Sequence, residues 1–394
     1  MAEREQRVTP LELFFDLVFV FGLTQVTNLM SADPTWDGLG RGLLLLAALW
    51  SAWSVYAWLT NALEPEALPV RVAIVGAMAA MLVVALAVPE AFDEHGVLFA
   101  VALLVVRVLH IVLYALAGKR DPDLFWAVVR FAPSTLVASA ILVFAGFVGG
   151  SAQPALWVVA LAIDYAGALV GGGQRWRISP AHFAERHGLI VIIALGESIV
   201  SIGIGAAGVE LTPSIVAAAV LGVVTIAAVW WAYFDIYAVQ GQRQLAAISG
   251  AVRARWARDY YTYLHLPMIV GIVFFALGLK KTFEHVGDPL ETVPAVALCG
   301  GLALFFFTHV LMRILSVRML GRTPGLWTSQ RHPGWFGFGR PTATVVVLAL
   351  IPVVQEVSAL TSLALVTGLC CALIAYDVIH YRVERAEVRA ARPW

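Results

Sequence analysis

LPVRVAIVGAMAAMLVVALAVPEAFDEHGVLFAVALLVVRVLHIVLYALAGKR, residues 68–120, holds two long apolar runs parted by a short acidic break. The runs fall near 68–88 and 97–117. Each matches the roughly 20 residues that a helix needs to cross a bilayer core. Backbone groups in lipid must be satisfied within the segment, so both runs are expected to be helices. The break, PEAFDEHG at 89–96, leaves room only for a tight connection. A single charged residue, Arg107, lies deep inside the second run.

The same pattern repeats in both directions along the chain. Spans are expected near 10–30, 38–60, 68–88, 97–117, 127–149 and 154–173. A second set is expected near 186–206, 211–238, 259–280, 293–316, 340–356 and 358–381. The chain of 394 residues is 60% hydrophobic and 13% charged. Soluble domains carry about a quarter charged residues, so this one cannot cover a water-facing surface of ordinary size. The expected fold class is all-α, a polytopic membrane protein of about 12 transmembrane helices. Its 26 basic and 26 acidic residues balance. No basic excess invites nucleic acid, and the implied surroundings are a lipid bilayer. Cys299, Cys370 and Cys371 all lie in apolar runs and read as small packing residues. The first residues, MAEREQRVTP, do not read as a removable signal peptide.

Lysines and arginines settle the expected orientation. One set of alternate loops and span ends carries 22 of the 26, from Arg7, Arg71 and Lys119 through Arg175, Arg177, Arg253 and Arg313 to Arg382. The opposite side carries Arg41, Lys280 and Lys281. Twelve spans with both termini cytoplasmic satisfy the positive-inside rule, in a multi-pass protein of the cell membrane. Trp176, Trp256 and Trp327 in cytoplasmic loops, and Trp36 in an outer one, read as interface anchors.

Residues 1–180 and 181–394 read as two copies of a six-span unit. Glu12 and Glu185 open the first and seventh spans. Trp53 and Tyr56 match Trp230 and Tyr233 at equal spacing. Ile74-Val75-Gly76 recurs as Ile269-Val270-Gly271, and Glu94-His95 as Glu284-His285. Arg130 and Arg340, each near a proline, open spans five and eleven, while Asp164 and Asp377 close the copies. Six spans per copy give both halves the same orientation, an arrangement found in transporter folds.

Two strings carry a family resemblance. The first runs Thr9-Pro10-Leu11-Glu12-Leu13-Phe14-Phe15-Asp16-Leu17-Val18-Phe19-Val20, followed by Thr24-Gln25-Val26. The second is Glu185-Arg186-His187-Gly188-Leu189, followed by Leu195-Gly196-Glu197-Ser198. Together with a tryptophan-rich second span ending in Leu59-Thr60-Asn61, they resemble the bacterial low-temperature-requirement A (LtrA) family of multi-span membrane proteins. The resemblance spans the whole chain. It implies the fold but no set of catalytic or transport residues, so activity has to be read from the residues.

Ionisable groups at bilayer depth are costly and mark function unless they only pin helices together. Glu12 and Asp16, four residues apart, share one helical face, with Thr27 on the same stripe and Thr24 at its edge. Glu185, Arg186 and His187 open span seven at the same level, where Arg186 or His187 could meet Glu12 or Asp16. Glu197, eleven residues on, reaches the midplane at about 1.5 Å per residue. Ser198 and Ser201 accompany it. An acid at that depth either pairs with a base or holds a proton. Arg107 is expected to need a partner, with Glu197 or an anionic substrate group as the options. His110, one turn on, reads as a packing histidine or a proton relay. Asp164 lies near the midplane, and Asp235 lies toward the cytoplasmic end of span eight.

Aromatic residues form a second constellation, with Trp53 and Tyr56 in span two and Trp230 and Tyr233 in span eight. Such boxes ordinarily pack or anchor. Beside Asp235 they could also line a cavity for an apolar or cationic ligand. No Walker A string, HExxH, GxSxG, diphosphate or haem motif is present, so no cofactor or metal is expected. The leading expectation is a secondary transporter of a small solute, with proton coupling as an option that would need an acid placed like Glu197. One alternative is an intramembrane enzyme acting on a lipid or isoprenoid. Another is a non-catalytic membrane factor or channel.

Overall fold

The computed structural model describes residues 7–63, 65–119, 121–171, 178–320 and 337–382. Arg175, Trp176, Arg177 and Trp327 lie outside them. Among the described residues the chain is helical throughout, with one isolated bridge between Pro289 and Ser358. Eleven helices are long and apolar enough to cross a membrane, and the chain is a polytopic helical membrane protein.

The first six helices are α1 (Pro10–Ala32), α2 (Trp36–Ala62), α3 (Leu68–Ala87), α4 (Gly96–Gly118), α5 (Pro122–Val148) and α6 (Ala152–Gly171). They are followed by α7 (Pro180–Gly205), α8 (Pro213–Ala232), α9 (Ala238–Ala247), α10 (Gly250–Ala257) and α11 (Leu264–Glu284). The last are α12 (Thr292–Leu320), α13 (Gly339–Ala349), α14 (Ile351–Val354) and α15 (Ala359–His380). A π turn at Tyr233–Tyr237 joins α8 to α9, and another at Arg258–Tyr263 joins α10 to α11. The segment expected at 340–356 is the short pair α13 and α14, spanning Gly339–Val354. Pro352 lacks the amide that would continue the ladder, and the helix breaks just before it.

Local chemistry starts these helices where the sequence signals. Thr9 caps α1, with Pro10 in the first turn and Glu12 closing a capping box. Thr35, Thr212 and Ser358 cap α2, α8 and α15 with their side chains. Helix α7 begins at Pro180, six residues before the expected boundary at 186. The polar string His182 to His187 lowers the hydropathy there, yet it is helical and mostly buried.

The chain divides into two compact units. The first comprises Met1–Ile193 with Ile248–Thr262, and the second comprises Ala194–Ala247 with Tyr263–Trp394. In the first unit α1 packs on α2 and α3. Helices α3, α4, α5 and α6 then pack in chain order, and α6 returns against α2. In the second unit α11, α12, α13 and α15 pack in chain order, and α15 returns against α8. The α11–α12 seam depends on glycine. A Cβ added at Gly301 would sit 2.5 Å from the Phe275 nitrogen, and one at Gly271 would sit 2.6 Å from the Gly301 oxygen. Small residues of this kind let membrane helices approach backbone to backbone.

Both units enclose ionisable groups within a largely apolar core and carry large apolar side chains on the outside. Leu86, Phe144, Phe147 and Val220 are exposed, whereas Glu12, Asp16, Arg107, Arg186 and Glu197 are buried. Exposed apolar side chains and enclosed charges suit a lipid surround.

Candidate functional site

Glu12 and Asp16 point from one face of α1 toward α7, where His182 and Arg186 are likewise four residues apart. Arg186 Nη1 donates to Asp16 Oδ2 at 3.0 Å, and its Nε lies 3.7 Å from Glu12 Oε1. His182 Nε2 lies 3.0 Å from Glu12 Oε1. From α2, Trp53 Nε1 donates to Asp16 Oδ1 at 2.8 Å, and its ring lies 5.7 Å beneath the Arg186 guanidinium. Thr9 adds a backbone donor to Glu12 Oε2 at 2.8 Å. Arg186, Glu12 and Asp16 are each at most 1% exposed.

His182 is oriented by its neighbours. The Ser179 amide donates to Asn61 Oδ1 at 2.9 Å, which orients the Asn61 side chain. Asn61 Nδ2 therefore donates to His182 Nδ1, 3.0 Å away. His182 Nε2–H then meets the Glu12 carboxylate. The centre sets two carboxylates beside one guanidinium and one imidazole, and buried charge is stable only when it is matched.

His187 is held by its own helix and by aromatic rings. Its Nδ1 donates to the Phe183 oxygen at 2.9 Å, and its ring sits 5.1 Å from Trp53 and 4.9 Å from Tyr261. Thr24 and Thr27 bond back to their own helix, to the oxygens of Val20 and Leu23.

A second charge site lies in the same unit. Arg107 on α4 donates to Asp164 Oδ2 on α6 at 2.7 Å and also to the Ser51 hydroxyl on α2. Thr135 on α5 donates to the other Asp164 oxygen at 3.1 Å. Arg107 thus pairs with Asp164. The adjoining cavity is about 10 Å³. That is about the space of one water. His110 is packed among the Tyr56, Tyr114 and Phe131 rings, and the Tyr56 hydroxyl donates to the Val106 oxygen at 3.0 Å.

The second unit holds the remaining candidates. Glu197 is fully buried on α7, and Ser201 donates to it at 3.2 Å. Lys280 is close enough to feel its charge. Ser198 is also fully buried. Tyr233 is buried, with its hydroxyl 2.8 Å from His265 Nε2, whereas Trp230 is 44% exposed and stacks on Phe234. The proposed box of span eight is thus split between interior and surface. Asp235 lies buried in the π turn between α8 and α9. Trp256, expected as a loop anchor, is instead buried in α10 and stacked on Tyr260 at 4.4 Å.

Sequence reading missed His182, Asn61 and the buried pair of Arg340 with Asp377. The signal for His182 was present, because it precedes Arg186 by four residues and so shares its face. Among the described residues no group of three His, Cys, Asp or Glu side chains is placed to hold a metal ion.

Comparison with known proteins agrees with this architecture. The family model described as bacterial low temperature requirement A protein (LtrA) matches residues 7–376. A protein of Rhizobium meliloti (strain 1021), described only as uncharacterized, is 34% identical over 324 residues, covering 78% of each chain. No solved structure matches. The matched range takes in the α1 acids, the α7 string and the Arg107–Asp164 pair, and ends one residue before Asp377; the chain belongs to the LtrA family.

Proposed function

We propose that this chain is a secondary transporter of a small solute, and that the centre of Glu12, Asp16, His182 and Arg186 carries its coupling proton. One observation carries the reading. A centre at most 1% exposed holds two carboxylates and only one guanidinium. A proton or a small cation balances it, and a site that must gain and lose one positive charge is what ion coupling requires. Arg107 with Asp164 and Arg340 with Asp377 are matched one to one, which suits them to clamping helices. Glu197 supplies a second buried acid in the other unit.

The two-repeat organisation, 1–180 and 181–394, belongs to the same proposal. The shared neighbour order within each unit supports it, since in each the last helix closes back on the second span. We place the protein in the bacterial plasma membrane with both termini cytoplasmic, as the arginine distribution favours.

The test is proton uptake into liposomes carrying purified protein, driven by gradients drawn from a panel of solutes. At least one solute is expected to drive uptake, and Asp16→Asn is expected to abolish it while solute exchange persists. No uptake with any solute, together with a chemically altered membrane lipid, would replace transport with the enzymatic reading.

A further inference from the structure

Glu12, Asp16, His182 and Arg186 are each at most 1% exposed, so a proton that reaches them needs a carrier at their edge. From His182 to His187, helix α7 carries four ionisable side chains, and Glu185 alone among them is partly exposed. Arg186 cannot shuttle a proton, because a guanidinium keeps its own. Glu185 has both the chemistry and the access.

It also faces the centre. Its Oε2 accepts the Val8 amide at 3.2 Å. The next amide, that of Thr9, donates to Glu12 Oε2 at 2.8 Å, and the Thr9 hydroxyl adds a bond at 3.0 Å. Two consecutive amides at the start of α1 thus hold two carboxylates, one from α7 and one from α1. Adjacent residues are about 3.8 Å apart, so both acids flank the same stretch of backbone. Glu12 is the inner acid, in contact with His182 and Arg186. Glu185 is the outer one, and Val8 and Thr9 beside it are partly exposed as well. Chains of carboxylates and histidines form the proton relays of membrane pumps and transporters.

We propose that Glu185 is the group through which protons enter and leave the centre, a reading that rests on the proton-carrying role given above to Glu12 and Asp16. In the inward step, hydronium or a buffer acid gives its proton to the Glu185 carboxylate. A water reaching both acids takes that proton and passes one of its own to Glu12, and Glu185 returns to the carboxylate form. The outward step reverses this order. Only O–H bonds form and break.

The test follows the full chain in detergent by time-resolved infrared spectroscopy after a rapid drop in pH. It reads the carboxylic acid band of the centre, identified by its loss in Asp16→Asn. In Glu185→Gln the band should reach full height but about a hundredfold more slowly, the lower end of what a positioned proton-transfer group contributes. Azide, whose conjugate acid is small enough to carry protons past the missing carboxylate, should restore the rate. Glu185→Asp, an acid one methylene shorter, should slow it less. A slow or diminished band that azide does not rescue would give Glu185 a purely structural role and overturn the proposal. An unchanged rate in Glu185→Gln would overturn it as well, while leaving the centre in place. A wild type without the band would remove the centre itself, and the relay with it.

Discussion

Arg186 holds the α1–α7 centre together, since it reaches both Glu12 and Asp16. Removing one partner of a buried ion cluster strands the rest, at a cost of about 3–5 kcal/mol. Arg186→Met should therefore lower the thermal stability of the purified protein sharply. Adding Asp16→Asn should recover part of the loss, because one carboxylate fewer is then stranded in the centre. Additive losses in the double variant would mean that the two side chains are not coupled. Sequence placed Arg186 at the level of Glu12 and Asp16, because all three fall near the same end of their spans. It could not name the partner of Arg107. Depth along a helix is legible from residue number, but the neighbour at that depth depends on lateral packing. Glu197 and Asp164 both lie near Arg107 in depth, and only the position of α6 selects Asp164.

At the scale of the element, helix positions were legible because hydropathy and capping residues agree. Thr9-Pro10, Thr212-Pro213 and Ser358 each start a helix where a side-chain cap and an apolar run coincide. The start of α7 was not legible, because its first turns are polar and the pairing that pays for their burial lies on other helices. The π turns at Tyr233–Tyr237 and Arg258–Tyr263 left no pattern in the apolar periodicity. The α11–α12 seam gives the clearest element-level prediction. At Gly301 an added methyl meets the Phe275 backbone, which cannot swing away. Gly301→Ala should destabilise the protein by about 1–3 kcal/mol through overpacking. Gly300→Ala, one residue away and facing ordinary van der Waals space, should be nearly neutral. Equal melting temperatures for the two variants would show that the seam tolerates a wider separation.

At the scale of the molecule, the loop charges make a prediction independent of any activity. In a Cys371→Ser background, which removes the exposed native thiol, Asp93→Cys and Asp288→Cys should label together from outside intact cells. Lys119→Cys should label only after permeabilisation. Labelling of Asp93→Cys and Asp288→Cys from opposite sides would break the twelve-span topology and, with it, the parallel repeat. The membrane class was legible from composition alone. The grouping of charges into separate centres was not, because it depends on which helices become neighbours.

The proton centre is most directly tested by infrared difference spectroscopy of the purified protein between alkaline and acid buffers. A carboxylic acid band should appear at low pH in the wild type and be lost or displaced in both Asp16→Asn and Glu12→Gln, while Asp164→Asn leaves it in place. An unchanged band in the Asp16 and Glu12 variants would show that the centre does not exchange a proton.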